Sequence, residues 1–112
     1  MKKVEAIIRS SKFEAVKNDL SKIGINFFTF FEVKGYGRQL AEHVVYRGAE
    51  YDIGYIARLK IELIVEDQNV KRISDTIRHA AQTGEIGDGK IIISAIEEIV
   101  SIRTGSINES AL

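Results

Sequence analysis

The chain has 112 residues, enough for one domain, and a domain of that length buries roughly 65% of its unfolded surface. Sixteen basic and sixteen acidic residues cancel, so no broad field steers the chain to nucleic acid or to an anionic membrane. Cysteine is absent, which excludes disulfides, thiol catalysis and thiolate metal sites; proline is absent too, so no rigid linker divides the chain.

Met1 to Glu5 lacks the apolar stretch of a secretory leader, and no apolar run is long enough to span a bilayer, so the expected location is the cytoplasm. Lys3 to Arg9 reads as a strand with Val4, Ala6 and Ile8 on one face and Ile7 on the other. Ser11 and Glu14 have the spacing of a capping box. Phe13, Val16, Leu20 and Ile23 follow at helical spacing, and Gly24 stops the helix. Ile25 to Lys34 reads as a strand whose phenylalanines, Phe27, Phe28, Phe30 and Phe31, reach both faces. Such a strand needs two apolar partners. It is either packed between the helices and a neighbouring subunit or buried at the centre of a sheet.

From Gly37 to about Ala57 the periodicity fails. A loop of about twenty residues in a compact domain is more often functional than structural, and its tyrosines and arginines suit contact with a partner. Regularity returns at Arg58, where Leu59, Ile61, Leu63 and Val65 alternate with Lys60, Glu62 and Ile64. Asp67 is placed to cap a second helix whose buried face is Val70, Ile73, Ile77, Ala80 and Ala81. His79, four residues after Asp75, reads as a surface ion partner. Ile91 to Ile93 begin a further strand, Glu97 and Glu98 mark a turn, and Ile99 to Arg103 form one more short strand. The tail, 105–112, is small and polar and is expected to fray. The order βαβ, long loop, βαβ is that of an α+β, ferredoxin-like sandwich, a single domain over 1–112. With both helices on one sheet face, the other face, bearing phenylalanines and isoleucines, is left bare, which implies an oligomer.

Between the second helix and the strand at Ile91 lies Thr83-Gly84-Glu85-Ile86-Gly87-Asp88-Gly89-Lys90. Glycine admits φ > 0 and close approach, so successive N–H groups can converge on an anion beside a mobile lysine. The same octet can also be no more than a glycine-rich helix-to-strand connection. Gly35-Tyr36-Gly37-Arg38-Gln39 and Ile102-Arg103-Thr104-Gly105 supply further fixed cations and favour a polyphosphate site.

These stretches, with Tyr46-Arg47-Gly48-Ala49-Glu50-Tyr51, closely resemble the PII signal-transduction family over essentially the whole chain. The resemblance implies a homotrimer that binds ATP or ADP in clefts between subunits, with magnesium accompanying ATP. It implies that Gly87, Asp88, Gly89 and Lys90 cradle phosphates, that Gly37, Arg38 and a neighbour's Arg103 add contacts, and that Thr29, Glu62 and Ile64 line the adenine end. Gln39 is the side chain implied for the metal. The loop 37–57, with Tyr46, Arg47 and Tyr51, is implied to contact a partner: an ammonium transporter, another membrane transporter or a nitrogen-metabolism enzyme. Departures are informative. Ser101 stands where many relatives carry a second arginine, Leu40-Ala41 replaces a frequent Lys-Gly pair, and Arg58 replaces a lysine that pairs with the carboxylate of 2-oxoglutarate. These changes make 2-oxoglutarate a doubtful effector. An ATP-consuming enzyme is disfavoured because Ile91, not Ser or Thr, follows Lys90. An RNA-binding sheet is disfavoured because 60–64 lacks stacking aromatics.

Overall fold

The computed structural model describes residues 1–36, 45–46, 49–50 and 56–112. Strand β1 (Lys2–Ile8) leads through helix α1 (Phe13–Lys22) to β2 (Thr29–Gly35); a two-stranded ribbon, β3 (Val45–Tyr46) and β4 (Ala49–Glu50), precedes β5 (Ile56–Val65). Helix α2 (Val70–Ala81) then leads to β6 (Lys90–Ala95). The main sheet is antiparallel with order β2-β5-β1-β6, the ferredoxin-like arrangement expected from the element order.

Alternation does the packing. Val4, Ala6 and Ile8 of β1 and Leu59, Ile61, Leu63 and Val65 of β5 point to the helices, where they meet Val16 and Leu20 of α1 and Ile73, Ile77 and Ala81 of α2. Four-residue spacing keeps each helical set on one stripe. Gly24, at φ +86, ends α1 as anticipated. Its N–H donates to Ser21 O at 3.0 Å and the Ile25 N–H to Leu20 O at 2.9 Å, the paired bonds of a Schellman cap.

Several local expectations are corrected. The capping box does not form: a 3₁₀ turn, Ser10–Lys12, supplies the entry bond from Lys12 N–H to Arg9 O, and Glu14 pairs instead with Lys17 at 2.8 Å. Asp67 does not cap α2 either. It opens another 3₁₀ turn, Asp67–Asn69, and its carboxylate takes the Met1 amino group at 2.9 Å. The second strand begins at Thr29, not at residue 25, because Ile25 and Phe28 are drawn against the core while Phe27 is left 85% exposed. The strand expected over 99–103 reduces to one bridge, Val100 to Ile107, since the chain reverses through Gly105 (φ +72). Beyond it, Asn108–Ala111 form a 3₁₀ turn.

The open sheet face carries the expected apolar side chains around a polar centre. Register places Lys3 and Glu5 beside Lys60 and Glu62 at its centre, linked by Lys3–Glu5 (2.7 Å), Lys60–Glu5 (4.0 Å) and Lys60–Glu62 (3.9 Å) ion pairs. The Lys3 ammonium holds the Glu5 carboxyl below its ordinary range by hydrogen bonding to it. The expected isoleucines and phenylalanine surround this polar centre: Ile7 and Ile64 on the central strands, Phe31 on one edge strand and Ile92 on the other.

Candidate functional site

The glycine-rich segment spans the gap from α2 to β6. Gly84, Gly87 and Gly89 have φ of +89°, +100° and +104°, which side chains rarely adopt. Gly89 lies so close to β1 that a Cβ there would stand 1.7 Å from the Ile7 carbonyl oxygen. Lys90, next in the chain, is exposed and pairs in register with Ile7.

Asp88 organises the loop from within. One carboxylate oxygen accepts the Thr83 N–H (2.8 Å) and the Gly84 N–H (2.9 Å); the other accepts the Thr83 hydroxyl and Arg9 Nε (3.0 Å). The Thr83 hydroxyl and N–H, then the Gly84 N–H and Arg9, hold the Asp88 carboxyl well below the usual carboxylate range. Two arginines grip the loop carbonyls: Arg9 Nη2 donates to Ile86 O at 3.0 Å, and Arg58 Nη1 donates to Gly87 O. The side chain of Asp88 is therefore committed to its own loop.

A second cleft, of about 300 Å³, opens at the β2 edge and brings Thr29, Glu62 and Ile64 together, walled also by Phe27, Phe28 and Leu112. Thr29 sits opposite Glu62 in the ladder. Thr29 is on the outer strand β2, Glu62 and Ile64 are on its inner neighbour β5, and Lys90 begins the opposite outer strand, β6. Two to three strand spacings, about 10–14 Å, separate these residues from β6, with Lys60 and Glu5 on the strands between. Arg103 lies exposed on the turn after Val100, and no hydrogen bond or ion pair among the described residues joins it to either group.

Gly37, Arg38, Gln39, Arg47 and Tyr51 lie outside the described residues, and Tyr46 is placed only as part of β3. Among the described residues no group of three or more His, Asp or Glu side chains could hold a metal. His79 is exposed, and its charge is a minor influence on Asp75, whose main partner is Lys71 at 2.7 Å. No motif or spacing points to Arg9 or to the carbonyl that Arg58 holds. Both depend on which loop atom comes to rest beside which strand end.

A four-stranded ferredoxin-like sheet, an anion-suited glycine loop at one edge and a long insertion between its second and third strands define a class of signal-transduction regulators. A family model described as "Nitrogen regulatory protein P-II" matches residues 1–106. Over 112 residues, covering 100% of both chains, the sequence is 51% identical to the nitrogen regulatory protein P-II of Microchaete diplosiphon. Identity over the same span is 49% to that of Rhodospirillum rubrum and 45% to that of Rhizobium meliloti. Among solved structures, Arabidopsis thaliana PII bound to citrate superposes with a TM-score of 0.81 at 34% identity, covering 99% of this chain and 91% of that one. The chain belongs to the nitrogen regulatory protein P-II family.

Proposed function

We propose that the chain binds ATP or ADP between the subunits of a homotrimer and regulates a partner protein through residues 37–57. The observation that carries this is the split site. The phosphate loop with Lys90 stands at the β6 edge, and the Thr29–Glu62–Ile64 cleft lies over β2 and β5, two to three strands away. A nucleotide lying across one chain would set its ribose over the Lys60–Glu5 ion pair, whereas opposed edges of two copies would offer base and phosphate sites side by side. The partly exposed Phe31 and Ile92, flanking an ion-paired centre, suit burial against further copies.

In this reading Gly87, Gly89 and Lys90 take phosphates, with Asp88 contributing its backbone alone. Arg38 and a neighbour's Arg103 add charge, and Gln39 offers its side chain to magnesium. The Arabidopsis relative was solved with citrate, so that protein accepts a small anion. The chain acts as a regulator, not as an enzyme. No helix among the described residues is long and apolar enough to cross a membrane. In this reading the chain is cytoplasmic and meets a membrane transporter at its cytoplasmic face. An ammonium transporter is the first such partner, followed by another transporter or a nitrogen-metabolism enzyme, with Tyr46, Arg47 and Tyr51 as the contact residues. A reading in which 2-oxoglutarate plays little part is favoured by Arg58, whose guanidinium is already engaged by Gly87 O.

Calorimetry at defined trimer concentration tests the proposal. Lys90→Ala and Arg103→Ala should each weaken ATP and ADP binding by roughly 1.5–3 kcal/mol, as for hydrogen bonds to charged groups. A verified monomer that binds with unaltered affinity would overturn the intersubunit assignment.

A further inference from the structure

We propose that Arg9 and Arg58 are positioning residues for the phosphate loop: by holding the carbonyls of Ile86 and Gly87 they aim the Gly87 N–H at an incoming phosphate. The inference deepens the nucleotide reading above and rests on it. In a planar trans peptide the C=O and the following N–H point in opposite directions. Arg9 Nη2 fixes Ile86 O at 3.0 Å, so the Gly87 N–H is turned away from the guanidinium. Arg58 Nη1 fixes the next carbonyl, Gly87 O, and so blocks rotation of the residue from its other side. Gly87 can hold this pose because it has no Cβ and sits at φ +100°. Its N–H has no hydrogen-bond partner among the described residues.

Both guanidinia gather behind that one residue. A Cβ on Gly87 would lie 3.1 Å from Arg58 Nη2 and 3.5 Å from Arg9 Nη2. Arg58 is only 8% exposed, and a buried cation requires a hydrogen-bond acceptor; here the acceptor is a loop carbonyl. Asp88 compensates Arg9 at 3.0 Å and ties the same guanidinium to the Thr83 and Gly84 N–H groups. The loop is thereby preorganised, with its oxygens inward on the arginines and one donor outward in a positive field. Neither arginine need touch the ligand.

The test uses the full chain with inorganic pyrophosphate and ADP as probes. Arg9→Met removes both donors at similar length and should weaken both probes about tenfold, and Arg9→Lys, which keeps one donor, should recover part of the loss. The Gly87 amide resonance should move among the most on adding pyrophosphate to the wild-type protein, and that movement should shrink selectively in the Arg9→Met variant, a response that a purely structural Arg9 would not give. Unchanged ADP affinity in Arg9→Met, or a silent Gly87 amide while ADP binds, overturns this inference and leaves the nucleotide reading standing. Failure of the wild-type protein to bind either probe overturns both. If Arg9→Met does not fold, Arg9→Lys takes its place: a partial loss of ADP affinity supports the inference, and unchanged affinity overturns it.

Discussion

Replacing Gly89 by alanine should cost more stability than any other substitution in the glycine loop, and the geometry sets the amount. The new Cβ would stand 1.7 Å from Ile7 O and 2.8 Å from Ile7 C, at φ +104°. Left-handed backbone at a residue with a Cβ costs roughly 1–2 kcal/mol. Overpacking adds about 1–3 kcal/mol, because Ile7 is held on both sides, by Lys60 of β5 and Lys90 of β6, and cannot retreat. The expected loss is therefore about 2–5 kcal/mol. Gly84→Ala is the internal control. It shares a positive φ, +89°, but its Cβ would meet nothing within 4 Å, so only the conformational term of about 1–2 kcal/mol applies. Urea unfolding of both variants at one protein concentration measures the difference, read from midpoints at constant slope. Equal losses in the two variants would refute the reasoning, since they would mean that the loop lifts freely off β1.

Other consequences are open to measurement. Asp88 is held below its usual value of 3.8, so its contribution is complete above that value and is lost as pH falls below it. Asp88→Asn should flatten the decline of urea midpoints between about pH 5 and pH 2, and an unchanged decline would contradict the assignment. Ile73→Ala, at a fully buried position between α2 and the sheet, should cost about 2–5 kcal/mol in the same assay. Titrating 2-oxoglutarate into protein saturated with Mg-ATP should give binding weaker than micromolar, because Arg58 is committed to Gly87 and Leu40-Ala41 replaces a more permissive pair. Arg47→Ala should lower affinity for the regulated partner, measured by calorimetry once that partner is isolated, and unchanged affinity would remove Arg47 as the anchor.

Patterns that depend on one element alone were legible in the sequence. The alternation of β1 and β5, the stripes of α1 and α2, and the stop at Gly24 each follow from spacing within a short segment. Signals that compete with a distant group were not. Asp67 has the chemistry of a cap, yet an amino group from the far end of the chain takes its carboxylate. Ser11 and Glu14 have the capping spacing, but a 3₁₀ turn satisfies the backbone first. At the candidate site the glycines announce the loop, and Asp88 is legible within it. Its actual partners, Thr83, Gly84 and Arg9, and the carbonyls held by Arg9 and Arg58, emerge only when β1, β5 and the loop meet. The mixed polarity of the open face has the same origin. Register puts Glu5 opposite Glu62 and brings Lys3 and Lys60 to neutralise them.

The ladder pair Gly35↔Ile56 joins the two ends of the long insertion at the sheet itself. Closing a flexible loop costs entropy that grows only with the logarithm of its length, about 0.6 kcal/mol for each doubling. Because the sheet already fixes both ends, the insertion can change in length or composition almost independently of the domain that carries it. A chimera bearing a foreign segment between these two residues should therefore unfold close to where the parent does. Changes can accumulate in that segment while the glycine loop and the Thr29–Glu62 ladder pair stay as they are.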